Sequence, residues 1–388
     1  MGRYTLQEDP RVDQAVAEHL AIIQAEVLRR CKPQALLLAG SFGRGEGSVA
    51  VNGTGLNFLS DYEICLISPS PAARLAVDRI QRTLAGRLPT TVSLFWNTPA
   101  RIRNNRSRNL SFGPPRATIG MYELKAGSQL LYGDFDLTVS QINPASIPPS
   151  EGVRLVLNRM MEVIDAWQTG TGLGMPLAKL SLACGDALLL MAGFYHYSYS
   201  RRLLRFDATF SHFEPQLGPE FLTLYHRAAA RKLNPQPGAA ADFTPAEVGA
   251  VALACQRTLA ILLDKLGASP AQLALRCATA VPILYCTGIC PGLDPLYERL
   301  ILALRARRAG QVIYWRGLPH RRPPLSPFQA LYGAIPALFW GLPLADRPAE
   351  LPLLKQAADW SGWILPTAAA ERPAEMTAAL LQIWHILG

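Results

Sequence analysis

The segment from Ala35 to Glu63 constrains this chain more than any other part of it. Ala35-Leu36-Leu37-Leu38-Ala39 is an unbroken apolar run, which predicts a short buried strand. The run ends in Gly40-Ser41, and a small basic turn, Phe42-Gly43-Arg44-Gly45, follows. Asp61 and Glu63 then stand in a second apolar run that reaches Ile67. Residues at i and i+2 of a strand point to the same face, so these two carboxylates project together from one surface of a sheet. Such a pair can hold a divalent cation against a polyphosphate.

A chain of 388 residues is long enough for two domains, and a hydrophobic content of 49% is ample for their cores. The net charge of +9 suits a partner that carries phosphates, although charge alone speaks to association rather than to chemistry. The excess is Arg-led and scattered, with one dense stretch at Arg101, Arg103, Arg106, Arg108 and Arg116. This loop closes over a triphosphate or contacts an acidic acceptor, or it is a solvated basic loop. No aromatic residues are interleaved among its arginines, so a nucleic-acid partner is compatible with the sequence but not favoured. Seven scattered cysteines read as buried thiols of a reducing cytoplasm. Cys286 and Cys290 lack a second ligand pair at zinc spacing. The N-terminus has no apolar h-region, and no membrane association is expected. Phe328 to Ala345 is uncharged but interrupted by Gly333, Pro336, Gly341 and Pro343, which predicts a buried, kinked helical hairpin.

Periodicity predicts a helix over 11–30, strands over 35–39 and 61–67, an inserted loop over 48–58 and a helix over 71–86. A third strand is expected over 90–96, and a hairpin over 118–133. From about residue 150 the pattern turns helical, over 150–168, 175–198, 216–233, 245–266, 293–309 and 372–387. The fold expected is α+β: a mixed sheet with flanking helices in residues 1–140, then an all-helical domain in residues 141–388.

The ordered set Gly40, Ser41, Arg44, Gly45, Asp61 and Glu63 resembles the signature of the polymerase-β-like nucleotidyltransferases. The two-domain layout is similar to that of the small-molecule, antibiotic-type members. The resemblance implies transfer of an NMP group from a nucleoside triphosphate to a hydroxyl of an unidentified, small-molecule acceptor. It implies Mg2+ in a one- or two-ion site, with Asp61 and Glu63 as metal ligands and catalytic residues. It also implies nucleotide contacts from Gly40, Ser41, Gly43 and Arg44.

The chain departs from that family where a third carboxylate is usual. The next strand reads Thr90-Thr91-Val92-Ser93-Leu94-Phe95, so Thr91 or Ser93 takes the place, and a hydroxyl cannot replace an anionic metal ligand or base. Glu123 is the nearest downstream acid. It either substitutes as a third catalytic residue or forms an ion pair with Lys125 or a neighbouring arginine. A catalytically impaired nucleotide- or partner-binding protein of the same fold is the alternative. In the helical part, Lys179 and Asp186 lie two turns apart on one face. They contact the nucleotide or acceptor, or they pair near Arg159 or Arg201-Arg202. The Tyr195-His196-Tyr197-Ser198-Tyr199 cluster offers a stacking surface or a helix-end anchor.

Overall fold

The computed structural model describes residues 2–53, 55–105, 117–235, 243–280 and 327–342, with isolated positions 352–353, 356, 377–378, 380–381 and 384. Strand β1 (Ala35–Ala39) is buried at every residue because it is an inner strand of a four-stranded mixed sheet. The hairpin β2 (Val49–Asn52) and β3 (Gly55–Phe58) forms a separate two-stranded sheet. On one side β1 pairs antiparallel with β4 (Tyr62–Ile67), and β5 (Val92–Asn97) runs parallel to β4 at the edge. On its other side β1 pairs antiparallel with β6 (Gln129–Gly133).

The two faces of the sheet separate by strand parity. Leu36, Leu38, Tyr62, Ile64 and Leu66 pack in one cluster with Val16 and Ile23 of α1 (Pro10–Arg30). Val77 and Ile80 belong to the same cluster. Ala35, Leu37, Ala39, Cys65 and Ile67 join a second cluster with Met121 and Leu124, together with Leu190 and Tyr195 from the helical part. Glu63 has the parity of Cys65. The sheet therefore presents Glu63, and Asp61 just before the strand, on the side where the helical part packs.

Between the sheet strands lie α2 (Gly40–Gly43), α3 (Pro71–Leu84), α4 (Pro99–Arg103) and α5 (Ile119–Gly127). The bundle that follows contains α6 (Pro149–Thr169), α7 (Gly174–Met191), α8 (Tyr199–Thr209), α9 (Glu214–Leu217), α10 (Glu220–Leu233), α11 (Pro245–Leu262), α12 (Pro270–Ala280) and α13 (Pro327–Gly341). Helix α7 lies at its centre, against α6, α8, α10 and α11. Its run from Leu180 to Leu190 is buried without a break, which explains an apolar helix with no polar stripe. Helices α7 and α11 are long and apolar enough to cross a membrane by length and composition, and α7 is enclosed by its neighbours.

Several expectations change. The segment 48–58 is the β2–β3 hairpin rather than a loop, with Gly53 in the left-handed conformation at its turn. The hairpin expected over 118–133 is helix α5 followed by β6. The Thr118 side chain caps the helix by accepting from the Met121 N–H, and Met121, Tyr122, Leu124 and Lys125 are buried at the i, i+3 and i, i+4 spacing of one helix face. The helix expected over 175–198 stops at Met191, and a turn leads into α8, which periodicity did not reveal. Residues 327–341 form one helix with Pro336 inside it, not a hairpin. The helix expected over 293–309, and Arg106, Arg108, Arg116, Cys286 and Cys290, lie outside the described residues. The helix expected over 372–387 is described only at scattered positions. Cys31, Cys65, Cys184, Cys255 and Cys277 are free thiols, with the sulfurs of Cys184 and Cys255 3.4 Å apart.

Glu46 joins the sheet part to the bundle. Its carboxylate accepts from the Ser198 hydroxyl (2.8 Å), the Tyr199 N–H (2.8 Å), the Ser200 N–H (3.0 Å) and the Ser200 hydroxyl (2.7 Å). It therefore satisfies the open N–H groups at the start of α8, where the helix dipole also favours a negative charge. Burial opposes ionisation of Glu46, but these donors outweigh it and hold its carboxyl below the usual range. A depressed folded value means that the stabilisation is complete above the ordinary carboxyl value of 4.5 and is lost as pH falls below it. We expect Glu46→Gln to cost about 2 kcal/mol at neutral pH in urea unfolding. The variant should also lose stability less steeply than the native chain below pH 4.5. Equal slopes in acid would show that Glu46 does not carry the effect.

Candidate functional site

The site begins where β1 ends. Register pairs Ala39 with Glu63 across the antiparallel ladder and Glu63 with Ser93 across the parallel one. Gly40 follows with φ +64°, and a Cβ built there would fall 2.3 Å from Glu63 Oε1. The Glu63 carboxylate thus lies directly on the Gly40 backbone, which only a glycine permits. Ser41 is buried within the single turn of α2. Gly43 serves packing: a Cβ there would sit 2.3 Å from the Leu38 carbonyl, and its own carbonyl accepts from Gln129 Nε2 at 3.0 Å.

Asp61 is exposed at the mouth of the site, and the Ser93 hydroxyl donates to its Oδ2 at 3.3 Å. Ser93 accordingly stands beside both acids, at the position where the resemblance implies a third carboxylate. Burial, and secondarily the charge of Asp61, push the Glu63 carboxyl above its ordinary range. Two acids whose repulsion is felt in this way are a donor set that a hard cation would relieve. Among the described residues no three His, Cys, Asp or Glu side chains gather as a metal-holding group. Mg2+ commonly takes only one or two protein carboxylates, with phosphate and water completing its shell, so the Asp61–Glu63 pair fits such an ion.

Glu123 does not face this pair as a spare acid. It projects from α5 into a junction of cations, with Arg44 Nη1 at 3.3 Å, Arg202 Nη2 at 3.0 Å and the Tyr195 hydroxyl donating at 2.6 Å. Burial opposes its charge, but Arg44 and then Arg202 outweigh it and hold it ionised below the usual range. Of the two readings open in the sequence, the ion pair is the one realised, although its partners are Arg44 and Arg202 rather than Lys125. Lys125 donates to the Val139 and Ser140 carbonyls instead. Arg44 is itself buried between Glu123 and Glu46, over the Tyr199 ring.

Arg202 is the centre of the junction. It is fully buried, pairs with Asp186 through Nη1, donates to the Tyr197 carbonyl at 3.0 Å and lies 3.8 Å from the Tyr199 ring centroid. Asp186 also accepts from the Tyr225 hydroxyl at 3.1 Å. Asp186 is therefore a structural partner of Arg202. Tyr195 and Tyr199 wall the guanidinium, while His196 accepts from the Ser198 N–H in the turn before α8.

Lys179, two turns from Asp186, has different surroundings. It shares Glu162 with Arg159: Nζ lies 3.2 Å from Oε2, and Arg159 pairs with Oε1. Lys232, at the end of α10, reaches across to the Ser60 hydroxyl at 3.2 Å, next to Asp61. The Ser48 hydroxyl donates to the Lys232 carbonyl and ties that helix end to the sheet part. Burial, then repulsion from Lys179 and Arg44, push the Lys232 amine down to about 8 against the pull of Asp61. The charges of Arg44 and Arg159 are felt at Glu63, and those of Lys179, Arg44, Arg159 and Asp61 at Lys232, so cations from separate elements gather on the side of the sheet that carries the two acids. Lys232 and Glu46 are the site residues that the sequence reading missed. Glu46 had a signal, lying two residues beyond Arg44 in the same glycine-rich turn. Lys232 had none, because long-range folding alone brings it to Ser60.

Searches against family models, characterised proteins and solved structures find no match to this chain. The chemistry of the site therefore rests on its own geometry.

We expect Arg202→Met to destabilise the chain by about 3–5 kcal/mol, because Asp186 and Glu123 would be left as buried, under-paired charges. Arg202→Lys, which keeps the charge but loses the two-sided fork, should fall between the two in urea unfolding. A loss below about 1 kcal/mol for the Met variant would mean that the junction is not a stabilising centre.

Proposed function

We propose that the cleft binds a nucleoside triphosphate with Mg2+ and transfers its NMP group to a hydroxyl of an acceptor. The observation that carries this reading is the opposition of two walls. Asp61 and Glu63 stand on the sheet beside the Gly40 turn, and Lys232 and Arg159, on helices of the bundle, lie close enough for their charges to act on Asp61 and Glu63 respectively, with Lys179 next to Lys232. A polyphosphate with its metal needs both kinds of wall, carboxylates for the cation and fixed cations for the oxygens.

In this reading Asp61 and Glu63 hold Mg2+, which when bound offsets charge on the α-phosphate and on the leaving oxygen. Glycine at position 40 keeps Glu63 against the backbone, so that the carboxylate does not swing away. Lys232 contacts the β- and γ-phosphates, and Lys179 and Arg159, which share Glu162, add positive field for the charge that grows as pyrophosphate leaves. Arg44 contributes field rather than contact, since its side chain is buried with Nη1 on Glu123 and Nε toward Glu46. Glu46 fixes the turn that carries Gly40 and Ser41 against α8. The acceptor hydroxyl approaches in line with the bond that breaks.

A second reading is favoured by Ser93 and Glu123 together. With Ser93 bonded to Asp61 and Glu123 held by two arginines, no third carboxylate serves as a base, and a protein that binds the nucleotide without turning it over fits the same walls. Titration with ATP, CTP, GTP and UTP in the presence of Mg2+, with pyrophosphate release followed in parallel, separates the two. Binding with release supports transfer, and binding without release across a pool of cell-extract acceptors supports the second reading.

Under the transfer reading Asp61→Asn should reduce pyrophosphate release by about 100-fold or more. Glu123→Gln should lower stability and leave turnover of the folded fraction within a few-fold. A turnover loss in folded Glu123→Gln equal to that of Asp61→Asn would restore Glu123 as a catalytic group. Triphosphate affinity should also fall as pH rises through about 8, where Lys232 loses its charge. Lys232→Arg, charged throughout that range, should keep its affinity. Identical pH profiles for the two proteins would remove Lys232 from the phosphate wall.

A further inference from the structure

The positive charge of this chain is concentrated. Residues 71–118 contain nine arginines and one acid, Asp78, a net +8 out of the +9 of the whole chain. Six of those arginines, Arg74, Arg79, Arg82, Arg87, Arg101 and Arg103, lie among the described residues. Helix α3 buries Ala73, Val77, Ile80 and Leu84 along one side. At 100° per residue, Arg74, Asp78, Arg82, Leu75 and Arg79 fall within the opposite arc, and all five are exposed. Helix α4 extends the patch: Arg103 is exposed over the Phe135 ring, and Arg101 lies over Trp96 close enough to Arg74 for their charges to repel. Among the described residues no carboxylate comes within salt-bridge distance of Arg74, Arg79, Arg82 or Arg103.

We propose that the exposed face of α3, extended by Arg101 and Arg103 of α4, is a docking surface for double-stranded B-form DNA, held through its phosphates. Five arginines stand on this surface against one acid, Asp78, a net +4, which is more one-sided than the evenly mixed charge of an ordinary solvated helix face. Arginine forks match phosphate oxygens in pairs. A helix of 14 residues spans about 21 Å, over which a duplex presents a dense row of phosphates. The major groove of B-form DNA admits an α-helix with side chains, while that of an RNA duplex is too narrow. Trp96 is buried beneath Arg101, and Phe135 is buried beneath Arg103, so neither offers a platform for unpaired bases. An acidic membrane is disfavoured because a helix lying on a bilayer must insert an apolar face, and the apolar face of α3 is spent on the sheet, with only Leu75 exposed beside the arginines. The surface is separate from the Asp61–Glu63 cleft, and the proposal holds whether or not that cleft transfers nucleotides.

The test is fluorescence anisotropy of a labelled DNA duplex of about 20 base pairs with the full-length protein, at salt from about 50 to about 200 mM. Four or five phosphate contacts predict a log–log slope of about −4, hence roughly 200-fold weaker binding across that range. The triple variant Arg74→Gln/Arg79→Gln/Arg82→Gln should make the slope shallower by about 3 and weaken binding at low salt by at least about tenfold. Its circular dichroism should be native, since all three side chains are exposed. Arg11→Gln/Arg227→Gln, which removes two exposed arginines elsewhere, should bind DNA like the native chain. The proposal is overturned if the triple variant binds like the native chain, if the native slope is near zero, or if the Arg11/Arg227 variant loses binding equally. Tighter binding to an RNA duplex of the same length, or Arg-dependent binding to phosphatidylserine vesicles without binding to DNA, would also overturn it.

Discussion

One buried guanidinium holds the two parts of this molecule in register. Arg202 belongs to the bundle, yet one of its carboxylate partners, Glu123, belongs to the sheet part, and the other, Asp186, belongs to the central helix α7. A charge taken this far from water is tolerable only where every neighbour answers it, and the neighbours here are two acids, a backbone carbonyl and two tyrosine rings. The consequence reaches the cleft through Arg44, which shares Glu123 with Arg202 and so fixes the end of the glycine-rich turn. What reads in the sequence as a phosphate-binding arginine is first a structural pin.

The cleft itself follows from strand register. Antiparallel pairing of Ala39 with Glu63 sets the end of one strand beside the start of the other, and left-handed Gly40 lets the carboxylate fold onto the backbone. Parallel pairing with the edge strand adds Ser93 to the same row. A slip of one residue between β1 and β4 would turn Glu63 toward α1 and α3, and a slip between β4 and β5 would remove Ser93 from the row. The long apolar strand is therefore as much a part of the site as the acids are.

Much of this was legible in the sequence because it is local. The apolar run before Gly40, the i, i+2 acids and the change to helical periodicity near residue 150 each depend on neighbours a few positions away. Ser93 could be placed by alternation alone. Glu123 could not be assigned, because its surroundings come from Arg44 and Arg202, 79 residues away on either side. Its segment reads as a hairpin because Ala126-Gly127-Ser128 has turn chemistry, whereas Gly127 ends a helix that the Thr118 side chain caps. Helix α8 escaped notice because its face is made of arginines and aromatics, and its start is defined by a glutamate 152 residues earlier. Lys232 shows the limit most plainly: nothing near it in sequence marks it, and its neighbours Ser48 and Ser60 lie 184 and 172 residues away.

The cap that Glu46 places on α8 carries a last consequence. Gly40, Ser41, Arg44 and Glu46 occupy a single stretch of seven residues, and its far end is anchored in the other half of the molecule. The cleft is thus a property of the joint and of neither half. Recombining this sheet part with a foreign bundle would transplant every motif residue intact and still lose the geometry, unless the incoming helix brought its own hydroxyls and open N–H groups to receive the glutamate. Inheritance of this site is all or nothing.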